Sequence, residues 1–261
     1  MTDEQAAPAG PEAVTAAILV IGDEILSGRT KDKNIGYIAE YLTAIGIDVK
    51  EVRVVGDEMD RIVEAVNALR TRYDYVFTTG GIGPTHDDIT ADAIAAAFGV
   101  GIGPHPEIVA LMRRHYAETG LELNEARLRM ARVPDGADII ENKISKAPGF
   151  RIGNVHVMAG VPTIMQAMLD AAAETLVTGR KMLSRSVEAH MGEGDVAKPL
   201  GELQDRYPDI GIGSYPYFDG KRFTTQIVLR GRDESRLDEA TRAAETMLEE
   251  LRISKADGGR P

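Results

Sequence analysis

The sequence predicts an α/β fold: a mainly parallel sheet with helices on both faces, followed by a small α+β module. Three observations predict it. Strand-length apolar runs alternate with amphipathic segments of about a dozen residues, the pattern of right-handed crossovers between parallel strands. Glycine-bearing turns follow several of these runs, as expected where the carboxyl ends of parallel strands meet a ligand. After residue 180 the order becomes strand, helix, two strands and helix, with Phe218, Asp219, Gly220 and Lys221 forming a hairpin turn.

In order, a first strand is expected over 17–21, a helix over 32–45 closed by Gly46, a strand over 48–55, and a helix over 58–72. Tyr75, Val76 and Phe77 start a buried strand over 75–79, and apolar residues at helical spacing predict a helix over 87–98. Helices over 106–118 and 124–131 follow, then a glycine-interrupted stretch over 147–153, a strand over 155–158 and a helix over 163–176. Thr178, Gly179 and Arg180 mark the boundary. Beyond it, strands are expected over 184–191, 210–217 and 222–230, and helices over 196–207 and 234–251. The domains are therefore 15–179 and 180–253, between a mobile head (1–14) and a mobile tail (254–261).

The 261 residues, 43% of them hydrophobic, suffice for real cores. No apolar run reaches the roughly 18 residues of a membrane span, and the polar, acidic start lacks the features of a signal peptide, so a cytoplasmic location is expected. The absence of cysteine excludes disulfides, thiolate zinc sites and cysteine nucleophiles. A net charge of −11 argues against nucleic acid as partner, because phosphate neutralisation supplies most of that affinity. The five histidines show no metalloprotease spacing.

The stretch Thr78-Thr79-Gly80-Gly81, continuing through Gly83, Pro84, Thr85, His86, Asp87, Asp88, Ile89 and Thr90, joins a phosphate cradle to paired acids. Glycines let backbone amides approach a ligand, and a following helix start adds free N–H groups and positive dipole. Carboxylates beside a bound phosphate repel it unless a divalent cation bridges the two. Gly22-Asp23-Glu24 and Gly56-Asp57-Glu58 follow strands one and two, so all three turns open on one sheet edge. One acid can cap a helix; Asp23, Glu24, Asp57, Asp87 and Asp88 together exceed that need. Lys146 with Pro148 and Gly149, and Gly160, Val161 and Pro162, border the same crevice, with Pro162 placed to start a helix. Two other motifs fall short. Gly22 to Thr30 has the wrong spacing for a P-loop and Arg29 in place of its lysine, while Gly99, Gly101 and Gly103 read as a turn.

Taken together, Gly22 to Gly28 with Asn34, Val55-Gly56-Asp57, Thr79 to Thr90, Asn124, 131–134, Asn142, 147–150 and Gly160-Val161-Pro162 resemble the MoaB/Mog fold family. The resemblance spans roughly 16–176 and is closest to the CinA-type N-terminal domain, also present at the front of eukaryotic FAD synthases. Residues after Arg180 resemble the segment that follows this domain in CinA-type proteins; the CinA deamidase domain is expected to be absent. Departures from the family wording fall at Asn142 to Lys146 and at Met158-Ala159.

The resemblance implies that Asp57 and Asp88 handle the metal and pterin, and that the substrate is a nucleotide diphosphate such as ADP-ribose or FAD. The expected activity is a pyrophosphatase using Mg²⁺, Mn²⁺ or Co²⁺, with Asp57 and Asp88 on the metal and Asp23 or Asp87 orienting water or a second ion. Gly22, Glu24, Asn34, Thr79, Gly80, Gly81, Gly83, Pro84, Thr85, Lys146, Pro148, Gly149, Gly160, Val161 and Pro162 are expected to bind the ligand. Molybdopterin handling and non-catalytic nucleotide or pterin binding are the alternatives. A homo-oligomer is implied on the same grounds.

Overall fold

The computed structural model describes residue 11 and residues 13–257. Residues 1–10, 12 and 258–261 lie outside the described residues, and with them most of the expected mobile head and half of the expected tail. The chain divides into two compact units, Met1–Arg180 and Lys181–Pro261.

The first unit runs β1 (Val14–Ile21), α1 (Asp23–Leu26), α2 (Asn34–Ala44), β2 (Ile47–Val55), α3 (Met59–Arg70), β3 (Tyr75–Thr79) and α4 (Thr90–Phe98). It continues with β4 (Ile102–Pro104), α5 (Pro106–Thr119), α6 (Glu125–Leu128), a 3-10 turn (Arg129–Ala131), β5 (Arg132–Pro134), β6 (Asp138–Ile140), β7 (Gly149–Ile152), β8 (Val155–Met158) and α7 (Pro162–Ala173). Six strands form one sheet in the order β2-β1-β3-β8-β7-β6. Strands β2, β1, β3 and β8 are parallel, whereas β7 and β6 join as an antiparallel edge.

Strand β1 shows why helices cover both faces. Its side chains alternate across the sheet, and the odd set Ala17, Leu19 and Ile21 packs with Ile62, Val66 and Leu69 of α3 and Ile94 of α4. The even set Ala16, Ile18 and Val20 packs with Ile38 and Leu42 of α2 and Met165, Met168 and Leu169 of α7. A strand buried on both sides must be apolar at every position, which is how this run reads. Trimming a fully buried member such as Leu19 to Ala costs roughly 2–5 kcal/mol.

Several boundaries differ from expectation. Helix α4 starts at Thr90, not Asp87, because Thr90 N donates to Gly81 O (2.9 Å) and its hydroxyl to Gly80 O (3.0 Å), clasping the helix start onto the strand end. The helix expected over 124–131 is a four-residue turn capped by Asn124, whose Oδ1 accepts from Arg127 N (3.0 Å), followed by the 3-10 turn. Gly99 ends α4 in left-handed conformation, but Gly103 lies in β4, so the expected glycine turn is partly strand. Asp23 opens the short helix α1 instead of a plain turn.

The second unit comprises β9 (Leu183–Glu188), α8 (Glu193–Arg206), β10 (Gly211–Phe218), β11 (Phe223–Gly231) and α9 (Glu234–Asp257). Its antiparallel sheet has the order β10-β11-β9. Val196 and Leu203 of α8, Ile227 and Leu229 of β11, and Leu237 and Leu248 of α9 form its core. Asp219 Oδ1 accepts from Lys221 N (2.8 Å) and Arg222 N (2.9 Å), which fixes the hairpin turn. The last helix runs six residues past the expected end at Leu251, so Ser254 to Asp257 are helical where a tail was expected.

Candidate functional site

The carboxyl ends of β1, β2, β3 and β8 share one sheet edge, so the turns that begin at Gly22, Gly56, Gly80 and Gly160 meet there. Gly80 and Gly81 have φ of 105° and 66°. A Cβ on Gly80 would lie 2.1 Å from Ile21 O, and one on Gly81 2.1 Å from Thr90 Oγ1, so neither position accepts a side chain. Two helices start at this edge without a side-chain cap: α4 after Ile89, and α7 after Val161, with Pro162 in its first turn. Their unpaired N–H groups and dipoles favour an anion.

Beside this cradle stands an acidic corner. Asp23 N donates to Asp57 Oδ2 (2.9 Å) and Asp57 N to Asp23 Oδ1 (3.4 Å), so the two acidic turns grip each other. Burial raises the Asp57 carboxyl above its usual range; the Asp23 N–H works against this, while the charges of Asp23, Glu24 and Asp87 add to it. Asp88 is wired differently. Its Oδ2 accepts from Thr85 N (2.8 Å) and Thr85 Oγ1 (2.5 Å), and a Cβ on Gly83 would lie 2.6 Å from the same oxygen. Asp87 is held below the usual carboxylate range by the Thr85 hydroxyl, for which it competes with Asp88, and by its own backbone N–H, helped by His86 and Arg29.

A cleft of about 580 Å³ opens over the cradle. Glu24, Thr30, Gly80, Gly81, Gly83, Pro84 and Asp88 line one side, Gly160, Val161 and Pro162 another, and Tyr116, Met130, Ile164 and Met168 give it an apolar wall. A side compartment of about 220 Å³ adds Asn34 and Thr79, with Lys31 and Lys33. Asn34 is held in place by donating from Nδ2 to Gly160 O (2.8 Å). A hollow of about 20 Å³ lies among Gly81, Gly83, Asp88, Arg129 and Pro148.

The remaining expected residues, Gly22, Asp23, Asp57, Thr85, Asp87, Lys146 and Gly149, line none of these three spaces. Gly149 sits in β7, where a Cβ would meet Val157 O at 2.4 Å; its glycine serves sheet packing. Lys146 has a left-handed backbone (φ 64°) in a loop built around buried Asn142. Asn142 Nδ2 donates to Ser145 Oγ (2.6 Å) and Ala147 O (2.8 Å), and its Oδ1 accepts from Ile144 N (2.9 Å) and Ser145 N (3.2 Å). Asn142 and Ser145 themselves line the cleft, as do Tyr116 and Met130. The last two come from α5 and the 3-10 turn, where apolar residues at helical spacing read as core.

Among the described residues, no three His, Asp or Glu side chains surround a point that a metal ion can take. The donor chemistry nevertheless fits a hard cation. Mg²⁺ is commonly held by one or two carboxylates and completed by water and substrate phosphate, and the raised Asp57 carboxyl in its acidic surroundings is relieved by such a charge.

Residues 17–178 match the family described as "Probable molybdopterin binding domain", and residues 181–257 match "FAD synthase, middle domain". A protein of Aeropyrum pernix is 35% identical over 248 residues, covering 91% of this chain and 92% of the relative. A probable FAD synthase of Caenorhabditis elegans is 32% identical over 94% of this chain, which spans 51% of that longer protein. The solved CinA of Thermoplasma acidophilum, a protein described as of unknown function, superimposes with a TM-score of 0.58 at 34% identity. That match covers 62% of this chain and 98% of the other. With the family match extending over more than half of its length, this chain belongs to the molybdopterin-binding-domain family of MoaB/Mog type, and CinA-like proteins and FAD synthases are among the proteins it is similar to.

Proposed function

We propose that the first unit hydrolyses the diphosphate linkage of a nucleotide such as ADP-ribose or FAD, with the help of a divalent cation. The observation that carries this reading is the adjacency of two unlike features at one sheet edge. An amide-lined cradle at Gly80 to Gly83 suits phosphate, and the acidic corner around Asp57 suits a cation.

Asp57 and Asp88, the pair implied by the family resemblance, remain candidates for holding the cation. To them we add Asp87, the neighbour in the 87–88 pair whose charge acts on Asp57. When bound, the cation supplies positive charge to a phosphoryl oxygen and lowers the pKa of a water toward neutrality. The chain does the rest. Backbone N–H groups at Gly81 and Gly83 and in the first turn of α4 beyond Thr90 hold non-bridging oxygens, while Asp23 or Asp87 accepts a hydrogen bond from the attacking water; the Gly80 N–H is already given to Met158 O (3.2 Å). The apolar wall of Tyr116, Met130, Ile164 and Met168 takes a flat ring and keeps water from that part of the ligand.

That wall also supports a second reading, the handling of molybdopterin, whose ring and phosphate would use the same cleft. The test is a panel of nucleotide diphosphates assayed with Mg²⁺, Mn²⁺ and Co²⁺, with products identified, beside a molybdopterin titration. Metal-stimulated cleavage to two monophosphates supports the pyrophosphatase. Tight pterin binding without cleavage favours the second reading, and nucleotide affinity without turnover favours a non-catalytic binder. Self-association belongs to the proposal through the family resemblance, and light scattering tests it. No helix among the described residues is long and apolar enough to cross a membrane.

A further inference from the structure

We infer that Arg129 is the anion-contacting cation of this cleft, donating from its guanidinium to a phosphate oxygen of the ligand lying in the Gly81 to Gly83 cradle. The inference rests on the reading that a phosphate-bearing ligand occupies the cleft, and it names a residue that neither motif nor spacing singled out.

Arg129 opens the 3-10 turn that follows α6. The turn is pinned, because Ala131 is fully buried and its carbonyl accepts from His105 N (2.8 Å). Arg129 and the glycine cradle thereby share the small hollow that also holds Asp88. Its volume of about 20 Å³ has room for one water-sized group, the size of a single phosphate oxygen.

Two arginines border this hollow, and their partners differ. Arg132 is committed to Asp92 through paired bonds of 3.0 and 2.6 Å. The contact Arg129 makes is a single long one, Nη2 to the Asp88 carbonyl oxygen at 3.4 Å, and no carboxylate among the described residues lies within ion-pair distance of it. The Asp88 carboxylate is already engaged by Thr85. A guanidinium carries five N–H donors in a planar fork that matches phosphate. Half-buried Arg129 thus holds donors and a positive charge for an incoming anion. It also divides the cleft electrostatically: Asp23, Glu24, Asp57 and Asp87 are absent from the hollow's lining, so an anion there meets Arg129 away from the acidic corner.

Calorimetric titration of the full chain with ADP-ribose and with adenosine, both in Mg²⁺, tests this. The proteins compared are wild type, Arg129→Gln, Arg129→Lys and Arg113→Ala, the last removing an exposed arginine of α5. Arg129→Gln should weaken ADP-ribose binding roughly tenfold to a hundredfold and Arg129→Lys by less, as expected for one charge-assisted hydrogen bond. Adenosine affinity in all variants, and ADP-ribose affinity in Arg113→Ala, should stay within twofold of wild type. Should Arg129→Gln fail to fold, Arg129→Lys decides, with a weakening of at least about threefold supporting the inference. Wild-type ADP-ribose affinity in the variant overturns the inference and leaves the functional reading standing. A wild-type protein that binds no nucleotide diphosphate overturns both.

Discussion

The two acidic corners beside the glycine cradle are built from the same residue type and differ in how each charge is answered. At Asp57, burial and the charges of Asp23, Glu24 and Asp87 outweigh one backbone N–H, so ionisation is disfavoured. At Asp88, the Thr85 amide and hydroxyl both donate to one oxygen, so the chain itself satisfies the acid. A carboxylate short of donors among like charges is the one that a cation stabilises most; a carboxylate already hydrogen-bonded is a fixed part of the loop. On the proposed reading, a cation gains most from the first corner, while Asp88 meets it already oriented by its loop.

Gly80 joins the corners, since it abuts the Ile21 carbonyl that leads into Asp23 and begins the loop that carries Asp88. Replacing it with Ala should break the comparison altogether. The clash with backbone and the strained φ should cost about 3 kcal/mol or more, read as a large drop in Tm.

His156 sharpens the contrast from outside the cleft, as a group governed by burial. It is 1% exposed and stacked on Phe77 at 5.0 Å, and neither ring nitrogen has a hydrogen-bond partner. Burial, with a smaller contribution from the Arg151 charge, lowers its pKa to about 4. The unfolded chain therefore takes up a proton from about pH 6.5 downward while the folded chain does not. The resulting loss should reach about 3 kcal/mol as pH falls from 6.5 to 4. Urea midpoints of wild type and His156→Phe across that range should diverge by this amount. Asp57 has the opposite sign. Its raised pKa makes the folded state relatively more stable as pH falls through that value, and the benefit disappears as pH rises again.

Turnover provides the next comparison. Asp57→Asn and Asp88→Asn should each lower nucleotide diphosphate hydrolysis roughly a hundredfold, the loss typical of one preorganised electrostatic group. Unchanged turnover in either purified variant removes that residue from the mechanism. The smallest effects are on stability, where the corners should part in sign. Asp88→Ala removes the acceptor for two Thr85 donors and should cost about 1–2 kcal/mol. Asp57→Asn keeps an acceptor for the Asp23 N–H and relieves repulsion, so at neutral pH its melt should be unchanged or raised, by no more than about 1 kcal/mol after solvent screening.

Much of the α/β framework was legible because β1, β3 and β8 are mostly apolar and buried on both sides, a pattern that short runs between helical segments announce. The three-residue strands β4, β5 and β6 were not, since three residues show no periodicity and their pairing is set by distant partners. Asp87 and Asp88 read as helix because the apolar residues that follow them stand at helical spacing, whereas the Thr85 bonds draw Asp88 into the loop. The meeting of Asp23 with Asp57 followed from parallel strands ending at one edge. Which of two adjacent aspartates acts on Asp57 did not follow, because it depends on how the loop turns. Arg129, Tyr116 and Met130 reach the cleft through a segment that folds back over it, and nothing in their spacing signals that return.

The central claim, that the Asp57 corner holds a divalent cation, is tested most directly by titrating Mn²⁺ into wild type and Asp57→Asn and following free ion by electron paramagnetic resonance. One saturable site in wild type, weakened at least about tenfold in the variant, is the predicted result. Equal Mn²⁺ affinity in both proteins, or no saturable site in wild type, would contradict the account.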